Sequence, residues 1–98
     1  MNDLLFKERR SEMEIIVRKP TNEEIAAFKL KPTWSRGISE FEWTYDEPEV
    51  CILDTGEVTV EYIGGSVSFG AGDLVEFPKG LSCVWKITQP VLKHFQFG

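Results

Sequence analysis

The sequence predicts an all-β fold: about eight short strands arranged as a sandwich or barrel, with one short helix near the start. Three observations carry this. Short apolar-alternating runs recur with turn signals every ~8–12 residues. Glycine and proline punctuate them, at Gly37, Pro48, Gly56, Gly64–Gly65, Gly70, Gly72, Pro78, Gly80 and Pro90. Only one segment carries a helix-start signature.

Composition narrows the class. Ninety-eight residues with 42% hydrophobic and 28% charged side chains fit one soluble globular domain with a single core. A net charge of -5 argues against a nucleic-acid partner, because phosphate binding needs a basic surface. The one basic cluster, Lys7, Arg9 and Arg10, falls within residues 1–12, which lack periodicity and read as a flexible tail before a domain at 13–98. There is no apolar run of the ~20 residues that span a bilayer and no signal-peptide pattern, so the expectation is a cytoplasmic protein without a membrane partner. Cys51 and Cys83 sit between apolar neighbours and read as reduced, buried thiols.

Residues 14–18 form a β-branched run ended by Lys19-Pro20. Thr21 and Glu24 make a capping box for a helix through about Phe28, with Ile25 and Phe28 on its buried side and Pro32 as a stop. This helix reads as a lid or outer support. The chain is then organised around Gly37 to Gly56. Phe41, Trp43 and Tyr45 alternate onto one face of a first strand; Glu49, Cys51 and Leu53 alternate along one face of a second. Should both faces meet one core, a carboxylate lies among aromatics and a thiol. A strand over 57–63 follows, with a hairpin at Gly64–Gly65, a return over 66–69, a turn capped by Asp73, and a strand over 74–77. Strands over 82–87 and 91–97, separated by a break at Gln89-Pro90, complete the set.

Two spaced patterns then stand out. Gly37, five residues, Trp43, one residue, Tyr45, three residues, Glu49, six residues and Gly56 form the first. Gly72, five residues, Pro78, one residue, Gly80, two residues and Cys83 form the second, after an interval of fifteen. Together they resemble the two motifs of the cupin superfamily. The wording around them is similar to small single-domain cupins related to ureidoglycine aminohydrolase and ethanolamine-utilisation cupin domains. The resemblance implies an RmlC-like conical barrel, or double-sheet jelly roll, of six to eight strands. It also implies a pocket at the wider end and assembly as a homodimer.

In metal-binding cupins the positions matching Trp43, Tyr45 and Cys83 are histidines, which hold a divalent metal with the glutamate at position 49. Only Glu49 survives here, and the chain has a single histidine, His94. The expectation is therefore a cupin without a metal or other cofactor. Its pocket would be lined by Trp43, Tyr45, Glu49, Cys83 and Trp85, with Lys93 or His94 as further candidates.

Several placements stay open. Glu49 either faces solvent at a strand end or lies in the barrel mouth, where desolvation would suit it to acid/base work. Trp43, Tyr45, Phe77 and Trp85 either fill the core or make a stacking wall for a planar or sugar-like ligand. Cys83 as a nucleophile would need His94 beside it. On the last strand Val91, Lys93, Phe95 and Phe97 form the more apolar face, which favours Lys93 over His94 as the pocket residue. The functional reading is a small-molecule-binding cupin. The alternatives are an enzyme acting on a small nitrogenous or carbonyl metabolite with Glu49 as acid/base, and a structural or dimerisation module.

Overall fold

The computed structural model describes residues 13–98. The expected tail at 1–12, with its basic cluster, lies outside the described residues. Seven strands and one helix follow in order: β1 (Ile16–Arg18), α1 (Asn22–Phe28), β2 (Thr33–Arg36), β3 (Ser39–Thr44), β4 (Glu49–Tyr62), β5 (Gly65–Gly70), β6 (Leu74–Phe77) and β7 (Ser82–Phe97).

Every pairing is antiparallel, and the architecture hangs on β4 and β7, which pair along nearly their whole lengths. The first half of β4 takes β6 on its free side, and β6 takes β1; the second half of β4 takes β5. On β7 the first half takes β3 and the second half β2. Two half-sheets result, sharing the long strands and folded face to face. Aromatic contacts between unpaired strands span the fold: Phe69 of β5 meets Phe77 of β6 at 6.0 Å, and Trp34 of β2 meets Phe41 of β3 at 6.2 Å. The hydrogen-bonded path runs from β1 to β2 without closing. This is the double-sheet, jelly-roll form of the expected fold.

The sequence predicts separate strands on either side of Gly56 and of Gln89-Pro90, whereas β4 and β7 are each continuous. The physical reason is a run of register shifts between Leu53 and Val58, which takes up the turn residues as bulges without ending the ladder. Gly56 is obligatory there. Its φ is 110°, and a Cβ would stand 2.7 Å from the Pro90 carbonyl oxygen. Pro90, with no N–H to give, sits at the irregularity itself. At the β4–β5 hairpin only Gly65 has a positive φ; Gly64 instead makes room for the Tyr62 ring, whose nearest carbon would lie 2.6 Å from an added Cβ.

The capping box forms as read. The Glu24 amide donates to Thr21 Oγ1 at 3.1 Å and the Thr21 amide donates to Glu24 Oε1 at 2.9 Å, while Arg18 clamps the same carboxylate. The expected buried side of α1 needs correction: Ile25 is exposed, Phe28 is half-buried, and no helix residue is fully buried. A seven-residue helix lying outside the sheet covers little apolar surface. Asp73 caps its turn as expected, accepting from the Gly70 amide at 2.9 Å and pairing with Lys19 at 2.8 Å.

Candidate functional site

Between the half-sheets, β2, β3, both halves of β7 and Glu49 at the start of β4 surround a cavity of about 200 Å³. Alternation explains its walls. On β2, Trp34 and Arg36 share the inward face, opposite Lys93 and Val91 of β7. On β3, Phe41 and Trp43 face inward opposite Trp85 and Cys83, and Tyr45 continues the series just past the strand end. Phe95 and Phe97 extend the Lys93 face of β7 toward the mouth.

At the cavity floor lies a buried ion pair. Lys93 Nζ donates to Glu49 Oε2 at 2.6 Å, and the two side chains are 7% and 3% exposed. Desolvating both charges is costly unless the pair is close and the remaining surroundings are favourable. Here the ammonium also lies over the rings of Trp34 at 4.9 Å and Trp85 at 4.8 Å, which add cation–π attraction. The aromatic scaffold beneath is tightly connected. Tyr45 stacks on Phe77 at 4.7 Å, Phe41 stacks on Trp85 at 5.9 Å, and Trp85 Nε1 donates to the Tyr45 hydroxyl at 3.2 Å.

Burial, and then the nearby Glu49 charge, push the Tyr45 phenol well above its ordinary range, so it stays neutral. Burial likewise raises the Cys83 thiol to about 11, reinforced by Glu49. Burial raises Cys51 to about 12, against the opposing pull of Lys93. Neither thiol is a thiolate near neutral pH.

Of the residues singled out from sequence, Trp43, Tyr45, Glu49, Trp85 and Lys93 line this cavity. Cys83 and His94 do not. Cys83 is packed in the core with its Sγ 3.6 Å from the Trp43 carbonyl oxygen, and Phe77 is also a core residue. His94 falls on the opposite face of β7 from Lys93 and pairs there with Asp54, Nδ1 to Oδ2 3.1 Å. The Cys83–His94 pairing considered for nucleophilic chemistry is therefore not assembled. Trp34, Arg36, Phe41, Phe95 and Phe97 complete the lining. Trp34 and Arg36 had a faint signal, the alternation Thr33-Trp34-Ser35-Arg36, too short to read securely.

The donor set does not suit a metal of the kind metal-binding cupins hold. Trp43 offers an indole, Tyr45 a neutral phenol already accepting from Trp85, and Cys83 a protonated thiol outside the cavity. Glu49, the one conventional ligand, is engaged by an ammonium. Among the described residues, no group of three His, Cys, Asp or Glu side chains converges on a common point.

Among solved structures, the chain is similar to a DUF861 family protein from Thermotoga maritima, with 40% identity over 87% of this chain and 100% of that one, and a TM-score of 0.82. It is also similar to a DUF861 family member of unknown function from Pseudomonas syringae (25% identity, 67% of this chain, 29% of that one, TM-score 0.61). A third is the Clostridium difficile EutQ protein (18% identity, 85% of this chain, 66% of that one, TM-score 0.62), a likeness that speaks for the fold alone. No curated protein matches the chain. The EutQ-like cupin domain model matches residues 24–95, well over half the sequence. The chain belongs to the family of EutQ-like cupin domains.

Proposed function

We infer that this cupin binds a small, flat organic molecule in the aromatic cavity and orients it with fixed side chains, without a metal centre. The observation that carries the reading is the Glu49–Lys93 pair. Two charges are held almost out of water at the floor of a space walled by Trp34, Phe41, Trp43 and Trp85. Pockets of this composition, apolar walls around a few convergent polar groups, are the usual form of small-molecule sites. The volume of about 200 Å³ falls below the ~300 Å³ at which drug-sized pockets begin, which suits an occupant of single-ring size.

The alternative reading, an enzyme for a small nitrogenous or carbonyl metabolite, has one observation in its favour. A carboxylate and an ammonium 2.6 Å apart face the same space, which sets a proton acceptor beside a proton donor, with Glu49 as the acid/base. The protein is further read as a cytoplasmic homodimer. Apolar exposure of Ile16 and Val17 on β1 supports the dimer, and no helix among the described residues is long and apolar enough to cross a membrane.

The test is a thermal-shift series with single-ring aromatic and heteroaromatic compounds. Stabilisation that saturates with concentration and disappears in Trp43→Ala is the expected result. No shift with any compound, in a protein that melts cooperatively, would overturn the binding reading.

A further inference from the structure

We propose that the cavity selects anions: its occupant is a small planar molecule bearing one carboxylate or equivalent negative charge, which is met by Arg36 on the β2 wall. This deepens the small-molecule reading above and rests on it.

The first argument is charge balance inside the cavity. Three formally charged side chains line it: Glu49, Lys93 and Arg36. Glu49 and Lys93 neutralise each other at 2.6 Å. Among the described residues, Arg36 takes part in no salt bridge or side-chain hydrogen bond; its guanidinium carbon lies 4.0 Å over the centroid of Phe41. Glu40 and Glu42, which flank Phe41 on β3, alternate onto the face away from the cavity. The lining therefore carries one uncompensated positive charge in a chain whose net charge is -5. That local reversal favours an anion over a cation or a neutral molecule.

The second argument is geometric. Arg36 stands two residues beyond Trp34 on the same face of β2, about 7 Å farther along the strand than the residue opposite Lys93. The guanidinium centre lies 4.0 Å from the Phe41 centroid, and among the described residues no side chain takes its N–H donors. A guanidinium fork with free donors matches a carboxylate bidentately. The stack continues inward, because Phe41 is itself stacked on Trp85 at an interplanar angle of 19°. A planar ring inserted beside Trp34 and Trp43 would thus turn its carboxylate to Arg36 and away from the Glu49 carboxylate. Lys93 does not compete for that charge, since Glu49 already holds it.

The three tryptophans of the chain, Trp34, Trp43 and Trp85, all line the cavity, so their indole N–H resonances report on it selectively. The experiment titrates full-length ¹⁵N-labelled protein with benzoate, benzyl alcohol and benzylamine, which share a ring and differ in charge. Benzoate is expected to shift the indole resonances with an affinity about tenfold above the other two, a gap that narrows as salt is raised. In Arg36→Met, which keeps the aliphatic stem, benzoate should fall to the level of benzyl alcohol; Arg36→Lys should recover part of the preference. Arg36→Gln serves as the second charge-removing variant, and unliganded spectra identify which variants keep the fold. Equal affinity for benzoate and benzyl alcohol, preference for benzylamine, or a benzoate preference that survives loss of the Arg36 charge would overturn anion selection while leaving the cavity a binding site. Indole resonances unmoved by all three probes would overturn the binding reading itself.

Discussion

Lys93 Nζ and Glu49 Oε2 lie 2.6 Å apart, and both side chains are almost fully removed from water. Their Cα positions belong to adjacent strands offset by several residues: Glu49 is opposite Phe97, and Lys93 is opposite Leu53. The pair is therefore a diagonal link across the β4–β7 ladder, drawn together inside the cavity. Removing one partner strands the other charge in an apolar setting. Lys93→Met alone or Glu49→Leu alone should each cost about 3–5 kcal/mol, whereas the double substitution should recover most of that loss. Chemical denaturation of the four proteins, read as a double-mutant cycle, checks this; additive losses would mean that the two charges do not depend on each other.

Trp43 and Trp85 have opposite roles despite neighbouring positions on the β3–β7 face. Trp43 is 47% exposed at the mouth, while Trp85 is 2% exposed and hydrogen-bonded to Tyr45. Trp85→Ala should cost about 3–5 kcal/mol by leaving a cavity. Trp43→Ala should cost about 1–2 kcal/mol, in keeping with its half-buried area, and act mainly on ligand affinity. Paired denaturation and thermal-shift measurements separate the two; a Trp43→Ala protein as unstable as Trp85→Ala would make Trp43 a packing residue.

Gly56 and Gly37 are both motif glycines but differ in what holds them. Gly56→Ala must place a Cβ 2.7 Å from the Pro90 carbonyl at a φ of 110°, and should cost more than about 1 kcal/mol. Gly37 has open space around it, so Gly37→Ala should stay within about 0.5 kcal/mol of the parent. Equal effects in denaturation would show that the β4 bulge tolerates a side chain.

The thiols set a pH dependence whose direction is fixed. Burial first, then Glu49, raises Cys83 to about 11, and burial raises Cys51 to about 12, both from an ordinary 9. Between those values the folded chain keeps protons that the unfolded chain releases. Their contribution is thus fully present below about pH 9 and is lost as pH rises through 11 to 12. Denaturation midpoints should fall across that window, less so in a Cys51→Ala, Cys83→Ala protein after allowing for its lower starting stability. Alkylation by iodoacetamide at pH 8 should be slow in the native state and fast after unfolding; rapid native labelling would contradict the buried, neutral thiols.

Much of this architecture was legible in local chemistry. The Thr21–Glu24 box marks a helix because two short-range hydrogen bonds satisfy orphan amides, and no tertiary information is needed. Strand alternation places Tyr45, Trp85 and Lys93 inward for the same kind of reason, and the parity of β7 separates Lys93 from His94. Three features resisted. Gly56 and Pro90 read as strand ends because their disfavoured ladder geometry is visible in the sequence, whereas the opposing bulge that accommodates both is not. Trp34 and Arg36 belong to a four-residue strand whose alternation is too short to stand out, and only the fold over β3 sets them beside Phe41. Cys83 obeys its alternation yet misses the cavity, because it packs in the core cluster with its thiol against the Trp43 backbone carbonyl.

The central claim is that a small planar molecule enters the space above the Glu49–Lys93 pair. Intermolecular nuclear Overhauser effects from the ring protons of saturating benzoate test it most directly. Cross-peaks to the side chains of Trp34, Phe41 and Trp43 are the predicted result. Cross-peaks confined to outward-facing groups such as Ile63, or none despite observed binding, would place the ligand elsewhere and contradict the account.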